Sequence, residues 1–213
     1  MGESSDLDTM VQTQIQARGV HDPSVLAAMR TVPRAEFVPP ELRERAFEDG
    51  PLAIGHGQTI SQPYVVAAMS AALHVRPGHR VLEVGTGSGY QAAVLVALGA
   101  DVFGVEVVPE LAAAARERLA RLALPGPGRV TVTVADGYHG LPAHAPFDRI
   151  VVTAAPPEVP QALVDQLVEG GRMVLPVGDE EQWLVVVEKR PDGPRQTPLF
   201  PVRFVPMVPS RRP

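Results

Sequence analysis

Beyond residue 76 the chain alternates short apolar runs with segments of helical period. Runs at 80–84 (RVLEV), 101–107 (DVFGVEV), 130–135 (VTVTVA), 148–153 (DRIVVT) and 172–176 (RMVLP) have the length of buried strands. Between them, helices are predicted at 90–98, closed by Gly99, at 109–122, opened by Pro109, and near 160–168, again with Pro at the start. Leu111, Ala115, Leu119 and Leu122 give the second of these an ordinary core stripe. The strand runs read as buried on both faces, as in a parallel sheet. Strand–helix alternation then predicts an α/β fold with a doubly wound, mostly parallel sheet.

The flanks follow other rules. Leu7, Val11 and Ile15 recur at helical spacing, and Gly19 can end that helix. Asp22-Pro23 starts another, with Asp as cap, Pro in the first turn, and Val25, Met29 and Val32 facing inward. Pro39-Pro40 breaks and restarts the chain. Residues 51–60 carry two glycines and no helical period, which predicts a loop or a short extended piece. A helix over 62–74 places Val66, Met69 and Leu73 on one side, and Pro77-Gly78 makes a turn. After residue 180, strand 182–189 meets the turn Pro191-Asp192-Gly193, and 197–207 is extended again, an antiparallel ending on a parallel sheet. No internal repeat interrupts this. The expectation is one domain over 1–213, with an N-terminal helical segment (1–76), a ligand-binding core (77–178) and C-terminal antiparallel strands (179–213).

Composition narrows the partners. With 213 residues, 45% apolar and 20% charged, the chain can bury a full core. Its 23 prolines are scattered and act as punctuation. A net charge of −5 lacks the basic footprint that nucleic-acid binding needs, and Arg211-Arg212 reads as a solvated tail. There is no cysteine, hence no disulfide, thiolate metal site or thiol nucleophile. The acidic start MGESSDLDT has no apolar core of a signal peptide, and no apolar stretch reaches membrane-spanning length. A cytoplasmic monomer that binds neither nucleic acid nor membrane is expected.

Candidate chemistry gathers at strand ends. Glu83-Val84-Gly85-Thr86-Gly87-Ser88-Gly89 lies between a strand and a helix, where glycines let backbone approach a ligand. A dinucleotide fingerprint would place its third glycine at Tyr90, and a phosphate-binding Walker loop would need Gly-Lys-Ser/Thr. Glu106 ends the next strand, where a carboxylate can accept both ribose hydroxyls, and Asp136-Gly137 ends the third. Each could be a turn residue or a surface acid alone. At three consecutive strand ends they converge on one nucleoside-shaped site.

These residues resemble class I methyltransferases, and within them the protein-L-isoaspartate O-methyltransferase family. The resemblance runs from Val32-Pro33-Arg34 to Phe204-Val205-Pro206. Its specific motif lies upstream of the glycine loop: Pro51-Leu52-Ala53-Ile54-Gly55, then Gly57-Gln58-Thr59-Ile60-Ser61-Gln62-Pro63-Tyr64. The stretch from Phe147 to Ala155, Glu169-Gly170-Gly171 before Val174-Leu175-Pro176-Val177-Gly178, and Val202-Arg203-Phe204-Val205-Pro206 are also family-like. The resemblance implies S-adenosyl-L-methionine as methyl donor and isoaspartyl-containing proteins and peptides as substrates. It places Glu83, Gly85, Thr86, Gly87, Ser88 and Gly89 at the cofactor, Glu106 on its ribose, Asp136 and Gly137 at its adenine, and Gln62 and Tyr64 beside it. Ser61 matches the family's active-site serine, and Thr59 and Val205 would border the substrate carboxylate. Tyr138 and Leu141 depart from the pattern, since bacterial relatives often have Trp there, and His56 stands where an amide or aromatic residue is frequent.

A carboxylate acceptor is already ionised at neutral pH, so no general base is needed, in keeping with the absence of a catalytic dyad. Ser61 would orient the acceptor by donating its hydroxyl. By position alone it could instead cap the helix that follows. None of the six histidines sits in a recognisable metal motif. Trp183 falls in a predicted strand and is expected to pack, or else to cover the substrate entrance. The competing functions are a same-fold methyltransferase with another acceptor, a non-catalytic nucleoside-binding module, and a dehydrogenase.

Overall fold

The computed structural model describes residues 3–124 and 126–210; the Arg211-Arg212 tail lies outside them. The N-terminal segment begins with α1 (Glu3–Met10), which runs through a π turn and a 3-10 turn to Gly19, whose φ of +91° ends it. Leu7, Val11 and Ile15 are all buried, as their spacing predicts. In α2 (Pro23–Thr31) the Asp22 carboxylate accepts hydrogen bonds from the Ser24 and Val25 amides, satisfying two of the orphan donors of the first turn. Val25, Met29 and Val32 face the core. Two 3-10 turns flank Pro39-Pro40, and the 51–60 stretch folds as a hairpin of β1 (Leu52–Gly55) and β2 (Gln58–Ile60). His56 and Gly57 take positive φ at its tip, the twist that two-residue hairpins need. α3 is Pro63–Leu73, with Val66, Met69 and Leu73 buried.

The central sheet has seven strands. β3 is Arg80–Val84, β4 Asp101–Glu106, β5 Val130–Val134, β6 Phe147–Val152, β7 Leu167–Val177, β8 Gln182–Glu188 and β9 Arg195–Val202. Their order is β5-β4-β3-β6-β7-β8-β9, parallel through β7 and antiparallel beyond. Strand order reverses between β3 and β6, so a crevice opens at their carboxyl ends, where ligands of such sheets bind. α4 (Tyr90–Ala97) and α5 (Pro109–Arg121) join the first three strands, and α6 (Gln161–Asp165) joins β6 to β7. Helices α1 to α5 cover one sheet face. Among the described residues the other carries only the short α6, 3-10 turns and the returning C-terminal segment, so the winding is lopsided.

Four expectations need correction. The helix near 160–168 stops at Asp165, because β7 starts at Leu167 to pair with Phe147. Gly170-Gly171 does not precede that strand but lies within it: Gly170 at φ +73° and Gly171 pair through their backbone with Lys189. Trp183 is 44% exposed at the start of β8, although Val185 and Val187 on its own side of the strand are buried. β5, at the sheet edge, buries only Val132 within its strand.

Candidate active site

At the carboxyl ends of β3, β4 and β6 lies a cavity of about 580 Å³. Its floor is the glycine loop. The Gly85 and Thr86 amides donate to the Val105 carbonyl at 2.8 and 3.2 Å, which ties the loop to β4. Gly85 has φ +88°, and a Cβ there would stand 2.7 Å from the Thr153 hydroxyl, which donates to the Gly85 carbonyl at 2.5 Å. Gly87 (φ +52°) faces the cavity. Arg118 of α5 holds the far side of the loop through the Ser88 carbonyl at 2.8 Å. Gly89 serves packing: it starts α4 at φ +88°, and a Cβ would press on Leu119 at 3.1 Å.

Glu106 is buried at the end of β4. Its Oε2 accepts from the Gly87 amide at 2.8 Å and its Oε1 from the Val108 amide at 3.0 Å. Each oxygen keeps lone-pair capacity for a further donor, so the pair can meet two ligand hydroxyls. Gly137 borders the cavity so closely that a Cβ would overlap Val84 at 2.5 Å. Asp136 stands off the wall. Burial alone would raise its carboxyl, but hydrogen bonds from Ser210 and the Tyr138 amide hold it below the usual carboxylate range. Glu83 is also off the wall. It is fully buried beneath the loop, and neither carboxylate oxygen meets a hydrogen-bond partner among the described residues. Burial pushes its carboxyl up to about 8, opposed by the nearby Thr86 hydroxyl and reinforced by Glu106. Its place is therefore structural support under the loop.

The opposite wall comes from the hairpin, α3 and the chain's end. Thr59, Ser61, Gln62 and Tyr64 all line the cavity. The cap position of α3 is taken by Gln62, whose side chain instead donates to Asp49 at 2.7 Å, while the Ser61 hydroxyl makes no hydrogen bond among the described residues. The capping role for Ser61 is thereby removed, because Pro63 sets the first turn one residue later than a Ser61 cap requires. Tyr64 packs on Phe200, and Arg18, paired with Asp49, lies over its ring at 5.2 Å. Val205 reaches the wall because the C-terminal segment returns beside β6: the Ala155 amide donates to the Val205 carbonyl, and the Met207 amide to the Ala155 carbonyl. Tyr138 steadies that return with a hydrogen bond to the Met207 carbonyl at 3.1 Å.

Of the residues singled out in the sequence, Thr59, Ser61, Gln62, Tyr64, Gly85, Thr86, Gly87, Ser88, Glu106, Gly137 and Val205 share one cavity, and Glu83, Gly89 and Asp136 stand behind it. Arg18, Gln91, Thr153 and Phe200 also line it and were not singled out. Gln91 had a signal in its place on the first turn after the glycine loop. Its side-chain oxygen is buried without a partner, an acceptor suited to a ligand N–H. Arg18 had none. The backbone cradle at Gly85 and Gly137, the Glu106 carboxylate and this orphan acceptor fit S-adenosylmethionine. Among the described residues no three His, Asp or Glu side chains could hold a metal ion, and no helix is long and apolar enough to cross a membrane.

Comparison with known proteins agrees with this geometry. The profile of the Protein-L-isoaspartate(D-aspartate) O-methyltransferase family matches residues 5–212. A protein-L-isoaspartate O-methyltransferase of Gloeobacter violaceus is 54% identical over 201 residues, 93% of this chain and 97% of the relative. One from Methanoculleus marisnigri is 54% identical over 202 residues, covering 94% and 90%. A crystal structure from Plasmodium falciparum, assigned to the same activity and holding S-adenosyl-L-homocysteine, superimposes with a TM-score of 0.78 at 26% identity, covering 98% of this chain and 99% of that one. A cavity built on these strand ends, matched over nearly its whole length by such relatives, leaves one assignment: the chain belongs to the protein-L-isoaspartate (D-aspartate) O-methyltransferase family.

Proposed function

We propose that this chain is a protein-repair enzyme that transfers a methyl group from S-adenosyl-L-methionine to the α-carboxylate of L-isoaspartyl residues in damaged proteins and peptides. The single observation that carries the reading is the Ser61 hydroxyl, without a hydrogen bond among the described residues, on the wall of the same cavity as the glycine loop and Glu106. When bound, S-adenosylmethionine supplies a methyl group on a cationic sulfur. Gly85, Thr86, Gly87 and Ser88 would hold its methionine part, Glu106 its ribose, and Gly137 its adenine, with Gln62 and Tyr64 closing the upstream side. Asp136 would brace the adenine end from behind.

The acceptor arrives ionised, since a free carboxyl has a pKa of about 4, so no residue of the chain has to remove a proton. Ser61 donates its hydroxyl to one carboxylate oxygen and leaves the other in line for methylation. Thr59 and Val205 border that carboxylate. Apolar side chains of Val84, Val105, Phe200 and Val202 line the cavity, and excluding water there favours charge neutralisation over solvated ions. Positioning of this kind is worth up to about 7–11 kcal/mol in well-oriented systems. The following backbone nitrogen then attacks the ester, methanol leaves, and a succinimide closes without the enzyme. Its hydrolysis returns some normal aspartyl linkage, which is the repair.

We read the protein as a single-domain cytoplasmic monomer that acts without nucleic acid; the absence of cysteine suits a reducing compartment. The test is tritiated methyl transfer to a synthetic isoaspartyl peptide beside its normal aspartyl twin. Base-labile incorporation into the first alone supports the reading. Equal labelling of both, or of neither, points to another acceptor.

A further inference from the structure

Arg34 is wholly enclosed by protein, and its charge has no use in the scheme above. It opens the 3-10 turn Arg34–Phe37, and its guanidinium reaches two backbone carbonyls: Nε donates to Ala46 at 2.7 Å and Nη2 to Ser61 at 2.8 Å. Its Cζ lies 4.7 Å from the centre of the Tyr90 ring, another cavity-lining residue. Among the described residues the buried Nη1 has no partner and no carboxylate bonds to this group. Burial lowers its pKa, yet a guanidinium remains protonated at any physiological pH.

Buried cations are ordinarily paired, because carbonyl dipoles satisfy hydrogen bonds without cancelling charge. This one stands directly behind the serine that faces the anionic acceptor. Arg18, which lies over the Tyr64 ring, is neutralised by Asp49, and Arg203 is exposed to screening water. Resting on the function proposed above, we infer that Arg34 is a positioning residue with two tasks. It fixes the Ser61 backbone at the cavity wall, and it supplies the positive field that the acceptor carboxylate completes.

The test compares Arg34→Met and Arg34→Lys with the unaltered full-length protein. The measurements are the Kd for S-adenosylhomocysteine, KM and kcat for an isoaspartyl peptide, the inhibition constant of its uncharged isoasparaginyl twin, and the melting temperature. In the Met variant KM for the carboxylate peptide should rise roughly ten- to hundredfold, with the amide twin and S-adenosylhomocysteine bound within about twofold of the original. The Lys variant should recover part of the preference for carboxylate over amide. A purely structural tether would weaken both peptides alike, and that result overturns the inference, as does an unchanged KM. Should the Met variant fail to fold, Arg34→Gln is compared with Arg34→Lys by the same carboxylate-to-amide ratio, which must fall in the first and persist in the second. If the unaltered enzyme leaves the isoaspartyl peptide unmethylated, the functional reading fails and takes this inference with it; if it methylates the peptide and the ratio never moves, only the role of Arg34 fails.

Discussion

Replacing Glu83 by glutamine should flatten the pH dependence of this protein's stability above pH 6.5. Glu83 is fully buried, its two oxygens lack partners, and burial pushes its carboxyl from 4.5 up to about 8. Between those values the folded chain keeps a proton that the unfolded chain releases. Unfolding is therefore favoured as pH rises, and the loss levels off above about 8. His74 and His79 act in the opposite sense: burial lowers both below 6.5, so stability is gained as pH rises toward that value. The window that isolates Glu83 thus opens at 6.5 and closes near 8. Across it the loss amounts to about 2 kcal/mol, at about 1.4 kcal/mol per pH unit. For a chain of this length that is roughly 4–8 °C in melting temperature. Thermal unfolding of both proteins, cofactor-free, in half-unit steps from pH 6 to 8.5 reads it directly. The original should lose those degrees relative to Glu83→Gln. Parallel curves would mean that Glu83 is solvated or paired, and would refute the reasoning.

Three substitutions probe the cavity wall. Ser61→Ala should lower kcat about 10- to 100-fold, the value of a hydrogen bond to a charged group, with the melting temperature unchanged because Ser61 caps nothing; a lowered melting temperature with full turnover would reverse that assignment. Glu106→Ala should weaken S-adenosylhomocysteine binding by about 10- to 100-fold in calorimetry, since ligand contacts and the Gly87 and Val108 anchors go together. Gly85→Ala forces a side chain into φ +88° and within 2.7 Å of the Thr153 hydroxyl. It should cost about 1–2 kcal/mol or more of stability and abolish cofactor binding; a stable, binding-competent variant would show that the loop bends freely.

What was legible in the sequence was local. β3 occupies the predicted 80–84 residue for residue, and Asp22-Pro23, Pro109 and Gly19 start or end helices because caps and breakers act within a turn of themselves. The glycine loop and Glu106 were legible for the same reason, lying at strand ends that periodicity locates. Less was visible where distant segments decide. The hairpin at 52–60 is too short to show alternation, and its turn uses His56 where glycine or asparagine would have signalled it. The glycines at 170 and 171 look like a break, yet backbone bonds to Lys189, just past β8, hold them in the strand. Arg18 and Phe200 reach the cavity only through tertiary packing, and the burial of Arg34 cannot be read from a polar residue in a proline-flanked turn.

The most direct measurement is a crystal structure of the protein with S-adenosylhomocysteine and an isoaspartyl peptide. The cofactor product should lie along Gly85 and Gly87 with its ribose on Glu106, and the peptide carboxylate should sit between the sulfur and the Ser61 hydroxyl. A carboxylate bound elsewhere, or Ser61 turned away with no room between it and the sulfur, would contradict the account.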